Sequence, residues 1–324
     1  MPDRVPSLSP LTRRRALQWG VAGAALAPLP LRQPAAAAEA AAGKRRRVLR
    51  LAHLTDMHVQ PELRAAKGLA QCLRHAQSHD DPVELIVTGG DSIMDAFDVD
   101  SARSQMLVDL WRGIFKQECS LPVRHCLGNH DSRPWSPTAA GELAGKQWAT
   151  SMYGLDAPYY SFEQSGWRFI VLDSVLPAGN GYTSGLDPQQ RAWLEAELKQ
   201  KPAEQPAAIV SHIPVISVTP LTFEGEHARD GNLQIAGPLM HLDGASLHYL
   251  FREHNVKLCL SGHIHLVDRC EVDGVTYICS GAVSANWWRG NLQRVEEGYG
   301  LVDLYNDGSV DYAYTPYGWN AAAG

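Results

Sequence analysis

The chain has 324 residues, 45% of them hydrophobic and 20% charged, and a formal net charge of −6. This composition excludes a coiled coil, a collagen-like repeat and a wholly disordered chain, and the length permits one large domain or two smaller ones. No long basic run follows the first fifty residues, which argues against general nucleic-acid binding. No apolar stretch reaches the roughly 20 residues of a membrane-spanning helix.

The N-terminus stands apart. Thr12-Arg13-Arg14-Arg15-Ala16-Leu17 precedes a weakly apolar run from Trp19 to Leu31 and a small-residue zone from Ala35 to Ala42. That is the order of an export signal, and the adjacent arginines resemble a twin-arginine (Tat) signal. Residues 1–42 are therefore expected to engage Tat export machinery and to be removed, leaving the protein in the periplasm or outside the cell. They carry five Arg against Asp3 and Glu39, so their loss takes the net charge from −6 to −9. The apolar run is too short for a stable membrane span, and the first cysteine, Cys72, lies too far along for a lipoprotein. Six cysteines remain, at 72, 119, 126, 259, 270 and 279, none of them in a Cys-x-x-Cys pair, so a thiolate zinc site is not expected.

Val48 to Thr55 reads as a buried strand, and Ala66, Leu69, Ala70, Leu73 and Ala76 then recur at helical spacing. Leu85-Ile86-Val87 is a short strand ending in Gly89-Gly90-Asp91. A helix is predicted around Ser101 to Phe115, and a third strand from Val123 to Leu127 ends in Gly128-Asn129-His130-Asp131. Strand alternating with helix argues for crossover units and a largely parallel sheet. Tyr159 to Glu163 and Trp167 to Leu172 are strand candidates. Asp187-Pro188-Gln189-Gln190 is a helix start, with an acidic cap and proline in the first turn. Ala208 to Ser211 leads to His212. Residues 214–240, rich in Pro, Gly and Thr, read as a long loop, a lid or an unrecognised element. His241 to Glu253 is predicted helical, and Val256 to Ser261 is a strand ending in Gly262-His263-Ile264-His265. The remainder is β-rich, at 269–272, 275–279, 300–305 and 309–314. Pairing outward from the Asp273-Gly274 turn sets Cys270 opposite 277 rather than Cys279. Residues 45–316 show no linker and read as one domain, with 317–324 a short C-terminal tail.

Five strand candidates end in residues of metal-ligand type: Asp56-x-His58, Gly90-Asp91, Gly128-Asn129-His130-Asp131, His212, and Gly262-His263-Ile264-His265. In open α/β sheets ligands sit beyond the carboxyl ends of strands, so a parallel arrangement brings these residues to one rim. In extended chain, i and i+2 share a face, which would aim Asp56 with His58 and His263 with His265 at one place. Glycines at 89, 90, 128 and 262 allow sharp turns and close backbone approach. The donors are oxygen and imidazole, a mix suited to Mn, Fe or Zn. Seven candidates are too many for one tetrahedral ion and suit two ions sharing a carboxylate.

These five motifs, in this order, resemble those of the calcineurin-like metallophosphoesterases, which include purple acid phosphatases and class III cyclic-nucleotide phosphodiesterases. The likeness covers roughly Val48 to Ala285, with Leu172-Asp173-Ser174 and Ser280-Gly281-Ala282 as weaker echoes. It implies a β-sandwich of two mixed sheets flanked by helices. It also implies two divalent or mixed-valence metal ions, one on Asp56, His58 and His265, the other on Asn129, His212 and His263, with Asp91 bridging. A hydroxide between the metals would attack phosphorus, and His130 would face the substrate as general acid, with Asp131 orienting it. Purple acid phosphatases place a metal-bound tyrosine three residues after the bridging aspartate; Met94 stands there, so their iron–tyrosinate chromophore is not expected.

The implied activity is hydrolysis of a small phosphoester. A phosphodiester, such as a cyclic nucleotide, is favoured over a monoester because no additional basic residues flank the motifs. An exported phosphomonoesterase and a non-catalytic metal-binding scaffold are the alternatives, and metal content separates the scaffold. His53, His75, His79, His125, His241, His248 and His254 have no ligand context and are expected to be ordinary core or surface residues. Asp95, Asp98 and Asp100 read as a solvated acidic face. Arg133, Trp135, His227 and Trp287-Trp288-Arg289 are candidates for substrate contact.

Overall fold

A computed structural model describes residues 44–136, 143–222 and 228–321. The export signal expected over 1–42 lies outside the described residues, as does His227. In chain order the strands are β1 (Arg47–Leu54), β2 (Leu85–Thr88), β3 (Val123–Arg124), β4 (Tyr160–Gln164), β5 (Trp167–Leu172), β6 (Val175–Ala178), β7 (Gly181–Ser184), β8 (Ala207–Ser211), β9 (Ala228–Arg229), β10 (Asn232–Leu233), β11 (Val256–Ser261), β12 (Asp268–Val272), β13 (Val275–Cys279), β14 (Gly298–Tyr305) and β15 (Val310–Pro316). The α-helices are α1 (Ala65–Ala76), α2 (Ser101–Glu118), α3 (Gly145–Tyr153), α4 (Pro188–Gln200) and α5 (Gly244–Glu253).

Two mixed sheets face each other, as expected. One has the order β15-β14-β1-β2-β3, the other β12-β13-β11-β8-β5-β4. Within them β1, β2 and β3 run parallel, as do β5, β8, β11 and β13, and antiparallel strands close the edges. The parallel strands are apolar on both faces because both faces are covered. On β1, Leu49 and Leu51 meet Phe169, Val171, Val210 and Leu260 between the sheets. Their neighbours Ala52 and Leu54 face α1 and α2 through Leu69, Leu73, Leu107 and Trp111. On β5 and β8, Ile170, Leu172 and Ile209 meet Leu194 and Leu198 of α4 and Phe251 of α5. The period of two along each strand therefore yields four layers, helix–sheet–sheet–helix. Each fully buried Leu or Phe contributes roughly 1.5–3 kcal/mol.

Local chemistry sets several boundaries. Asp100 and Asp187 cap α2 and α4 by accepting from the amides of Arg103 and Gln190. The Gln190 side chain bonds both backbone groups of Asp173, pinning the end of β5. Asp273 and Gly274, with φ of 50° and 76°, form the tight turn between β12 and β13, and Cys270 lies opposite Tyr277. All six cysteines are free. β3 is shorter than expected, because the Cys126 amide bonds the Thr88 hydroxyl instead of extending the ladder.

Three expectations change. Two elements between β3 and α4 went unread, namely α3 and the β6–β7 hairpin. The 214–240 stretch carries short turns of 3-10 helix and the two-residue pair β9–β10. Asp268 accepts from Ser217, Val218 and Thr219 at its start. Finally, Tyr317 and Trp319 are no tail: both are buried in the α1–α2 core, and the Tyr317 hydroxyl donates to the Val283 carbonyl. Lys44–Gly324 forms one compact unit. No helix among the described residues is long and apolar enough to cross a membrane.

Candidate metal centre

The carboxyl ends of β1, β2, β8 and β11 meet at one rim, and there the backbone departs from extended geometry. Asp56, His58, Asp91, His263 and His265 all have positive φ, between 41° and 72°. The i, i+2 pairs therefore converge through left-handed residues rather than through strand alternation. Such a conformation costs roughly 1–2 kcal/mol per non-glycine residue and persists only where the surroundings enforce it. Here loop-to-loop bonds enforce it. The amides of Asp56 and His58 donate to the carbonyls of Gly90 and Asp91, and the amides of Val283 and Ser284 donate to those of Thr55 and Asp56. Two glycines permit the approach. A Cβ on Gly128 would lie 2.1 Å from Asp91 Oδ1, and one on Gly262 would lie 1.9 Å from Thr55 Oγ1.

All seven predicted ligand residues come together, and all but the partly buried His263 are buried. His265 Nε2 lies 3.1 Å from His58 Nε2 and 3.4 Å from Asp56 Oδ1. His212 Nε2 lies 2.9 Å from Asn129 Oδ1 and 3.2 Å from His263 Nδ1. Asp91 stands between the groups: its Oδ2 is 3.7 Å from His58 Nε2 and 3.3 Å from His212 Nε2. Three triads have ligand atoms within 4.8 Å of one another: Asp56-His58-His265, His58-Asp91-His130 and Asp91-His212-His263.

The donor chemistry fits metal ions. His265 Nδ1 meets the Ala285 carbonyl at 2.5 Å and His212 Nδ1 meets the Gly89 carbonyl at 2.8 Å. Each carbonyl fixes the N–H on that side and leaves Nε2 aimed inward. Buried imidazole nitrogens facing one another and two carboxylates call for a shared cation. Without one, protons take the role. Burial opposes ionisation of Asp91, but His212 and His130 hold its carboxyl well below the usual range. Asp56 is likewise held low, burial being outweighed by His265. Burial favours neutral His212, yet Asp91 pushes its pKa up to about 9. His58 and His263, where burial dominates, fall to about 3.

His130 sits at the edge of this cluster, its ring 4.9 Å from that of His58, with its amide donating to Asp91 Oδ1. Burial lowers its pKa, but Asp91 and Asp95 raise it to about 9. The group facing its ring is Asp95, with Oδ1 3.5 Å from Nδ1. Asp131, expected to orient His130, has other partners. It accepts from the amides of Ser92 and Gly128 and from the Tyr153 hydroxyl, so it braces the loop instead. Asp95 is thus not part of a solvated face; Asp98 and Asp100 are exposed, as expected, and Asp100 also caps α2.

The adjacent tryptophans divide their roles. Trp288 is buried, and its indole N–H donates to the carbonyls of Met57 and His58. Trp287 lies over the ligands, 4.4 Å from the His265 ring and 5.9 Å from that of His58. Arg289 is exposed, and Arg133 bonds Ser104 beneath the Trp148 ring. Sequence reasoning missed Phe97 and Tyr182, which line a cleft beside His130. Gly179-Asn180 between two short β-capable runs was the signal for the hairpin carrying Tyr182. The expected bystander histidines are buried or partly buried among other partners; His241, for instance, bridges Ser211 and Asp243. Ser211 is closed to solvent and donates to the Ile213 carbonyl, so this Ser-His-Asp row offers no nucleophile.

The sequence matches the calcineurin-like phosphoesterase family over residues 49–267. The chain therefore belongs to that family and is a hydrolase acting on phosphoester bonds. Among solved structures it is similar to a dimetal phosphatase from Danio rerio, with a TM-score of 0.58, 18% identity, and coverage of 84% of this chain and 97% of that one. It is also similar to GAP50, the anchor in the inner membrane complex of Plasmodium, with a TM-score of 0.50, 16% identity, and coverage of 86% and 87%. At these identities the likeness concerns the fold. No curated protein matches the sequence.

Proposed function

We propose that the protein is an exported, two-metal phosphodiesterase in which His130 is the general acid. The observation that carries this reading is the position of Asp91 between two nitrogen- and oxygen-donor groups. Asp56, His58 and His265 would hold one ion, Asn129, His212 and His263 the other, and Asp91 both; Mn, Fe and Zn suit these donors. Bound there, two cations would neutralise the ester oxygens and make water nucleophilic at neutral pH.

The chain's own groups supply the rest. His130, held as a proton donor by Asp91 and Asp95, passes a proton to the leaving oxygen, a step typically worth about 10²–10⁴-fold. The buried carbonyls of Gly89 and Ala285 keep His212 and His265 oriented. Diester preference is supported by the cleft beside His130, where, among the described residues, Asp95 and Asp98 stand and no Lys or Arg does. The cleft therefore offers no cation to balance the second charge of a monoester dianion, whereas a diester carries one charge less. Export is supported by the order of basic, apolar and small-residue segments in residues 1–42.

The test is hydrolysis of bis-p-nitrophenyl phosphate against p-nitrophenyl phosphate by metal-reconstituted protein. The diester should be cleaved faster; faster cleavage of the monoester would assign a phosphomonoesterase. His130→Ala should retain metal and lose turnover of alkyl esters, with a smaller loss on p-nitrophenyl esters, and Asp91→Ala should lose both metal and turnover. Full activity of Asp91→Ala would refute the two-metal site. A mass fall of roughly 4 kDa on export would mark removal of about 40 residues.

A further inference from the structure

The cleft beside His130 has a composition of its own. Its volume is about 320 Å³, near the lower bound of ligand pockets. It opens on Asn129 and His130, Phe97 and Tyr182 are the aromatic residues of its lining, and Asp98 and Asn180 stand among its polar groups. Trp135 ties the two aromatic segments together, and the Tyr182 ring lies 6.2 Å from that of His263. Phe97 packs edge-on against Trp135 at 5.4 Å. The Trp135 indole N–H donates at 2.7 Å to the carbonyl of Gly181, the residue before Tyr182 in β7. Asp95 is engaged by His130 and by the amides of Phe97 and Asp98. The Asp98 carboxylate has no partner among the described residues and is exposed.

We infer that this cleft is a subsite for a leaving alcohol that carries an alkylammonium group. The inference rests on the phosphodiesterase reading, because it takes His130 as donor to the leaving oxygen. Whatever occupies a cleft opening on that donor is the departing alcohol. Ring faces attract a desolvated cation, and an unpaired carboxylate beside them selects positive charge over a neutral group of equal shape. In the reaction a water oxygen bonds to phosphorus while the ester P–O bond breaks. The ammonium alcohol leaves with the proton from His130, the other product is a phosphomonoester, and the proton released by water restores His130.

The test uses an isosteric pair on metal-reconstituted full chain: glycerophosphocholine and its analogue in which 3,3-dimethylbutanol replaces choline. The expected ratio of kcat/KM is tenfold or more in favour of the cation, and Asp98→Asn and Phe97→Leu should each bring it toward unity. A ratio is insensitive to the fraction of folded enzyme. Binding of choline against 3,3-dimethylbutanol to metal-free protein, followed by aromatic fluorescence, gives a readout that needs no turnover. Equal rates on both esters in active enzyme, or a preference that survives Asp98→Asn, would overturn the subsite and leave the phosphodiesterase reading intact. Selective choline binding, lost in Asp98→Asn, by a protein that cleaves no ester would uphold the subsite and remove that reading.

Discussion

Protons and metal ions compete for one nitrogen, and the competition has a calculable size. In the metal-free protein His212 carries a proton because Asp91 lies 3.3 Å from its Nε2, and burial alone would have removed it. The same Nε2 is the atom that would bind metal. Binding must therefore release the proton, and affinity rises with pH until the imidazole is already neutral. With the pKa at about 9, pH 7 is two units below it, worth about 2.7 kcal/mol, or a hundredfold in affinity between pH 7 and 9. The pH dependence of folding runs the other way. A base whose pKa is raised on folding adds stability that is complete below its unfolded value, near 6.5, and is lost as pH rises through about 9. The metal-free protein should thus lose stability over the window in which it gains metal affinity. Calorimetric titration with Mn in buffers of different ionisation enthalpy counts the released proton. His130→Gln removes the second raised imidazole, so that the count belongs to His212. Affinity that is flat between pH 7 and 9, with no proton released, would refute the assignment.

Two further perturbations probe the surroundings. Trp287, in ring contact with His265 and His58, should be quenched when paramagnetic Mn or Co binds, and Trp287→Phe should remove most of that response; an unchanged response would place the emitter elsewhere. Asp95→Asn removes the anion facing His130 and should slow esters of poorly leaving alkyl alcohols about tenfold more than p-nitrophenyl esters, which need little protonation. Equal slowing of both would show that Asp95 does not act through the proton on His130.

What the sequence revealed and what it withheld follow from the range of the forces involved. The sandwich strands are legible because burial on both faces leaves unbroken apolar runs such as Leu85-Ile86-Val87 and Ala208-Ile209-Val210. The ligands are legible because each polar residue follows such a run directly, and strand direction carries them to one rim. The helix α3 is not legible: Gly145 opens it, Ala144 gives no side-chain cap, and it survives by burying Trp148 and Met152. Pro177 hides the hairpin for the same kind of reason, since it reads against a strand. Asp95 was misjudged because local polarity looks identical whether a carboxylate faces water or an imidazole.

The deepest discrepancy concerns how the ligands point. Strand alternation reaches the right pairing of Asp56 with His58, and of His263 with His265, by a wrong route. The residues between them, Met57 and Ile264, are buried apolar anchors, and the ligands on either side take left-handed backbone instead. An extended segment would aim both ligands along the strand face, whereas a left-handed residue at each ligand position turns the chain across the rim. That geometry is unfavourable in isolation; bonds with Gly90, Asp91, Val283 and Ser284, as far as 228 positions away in sequence, hold the Asp56–His58 segment, while the His263 amide donates to the Asp56 carboxylate and His265 Nδ1 meets the Ala285 carbonyl. The convergence that defines the site is therefore a property of the packed loops, and the motif spacing records its result without its cause.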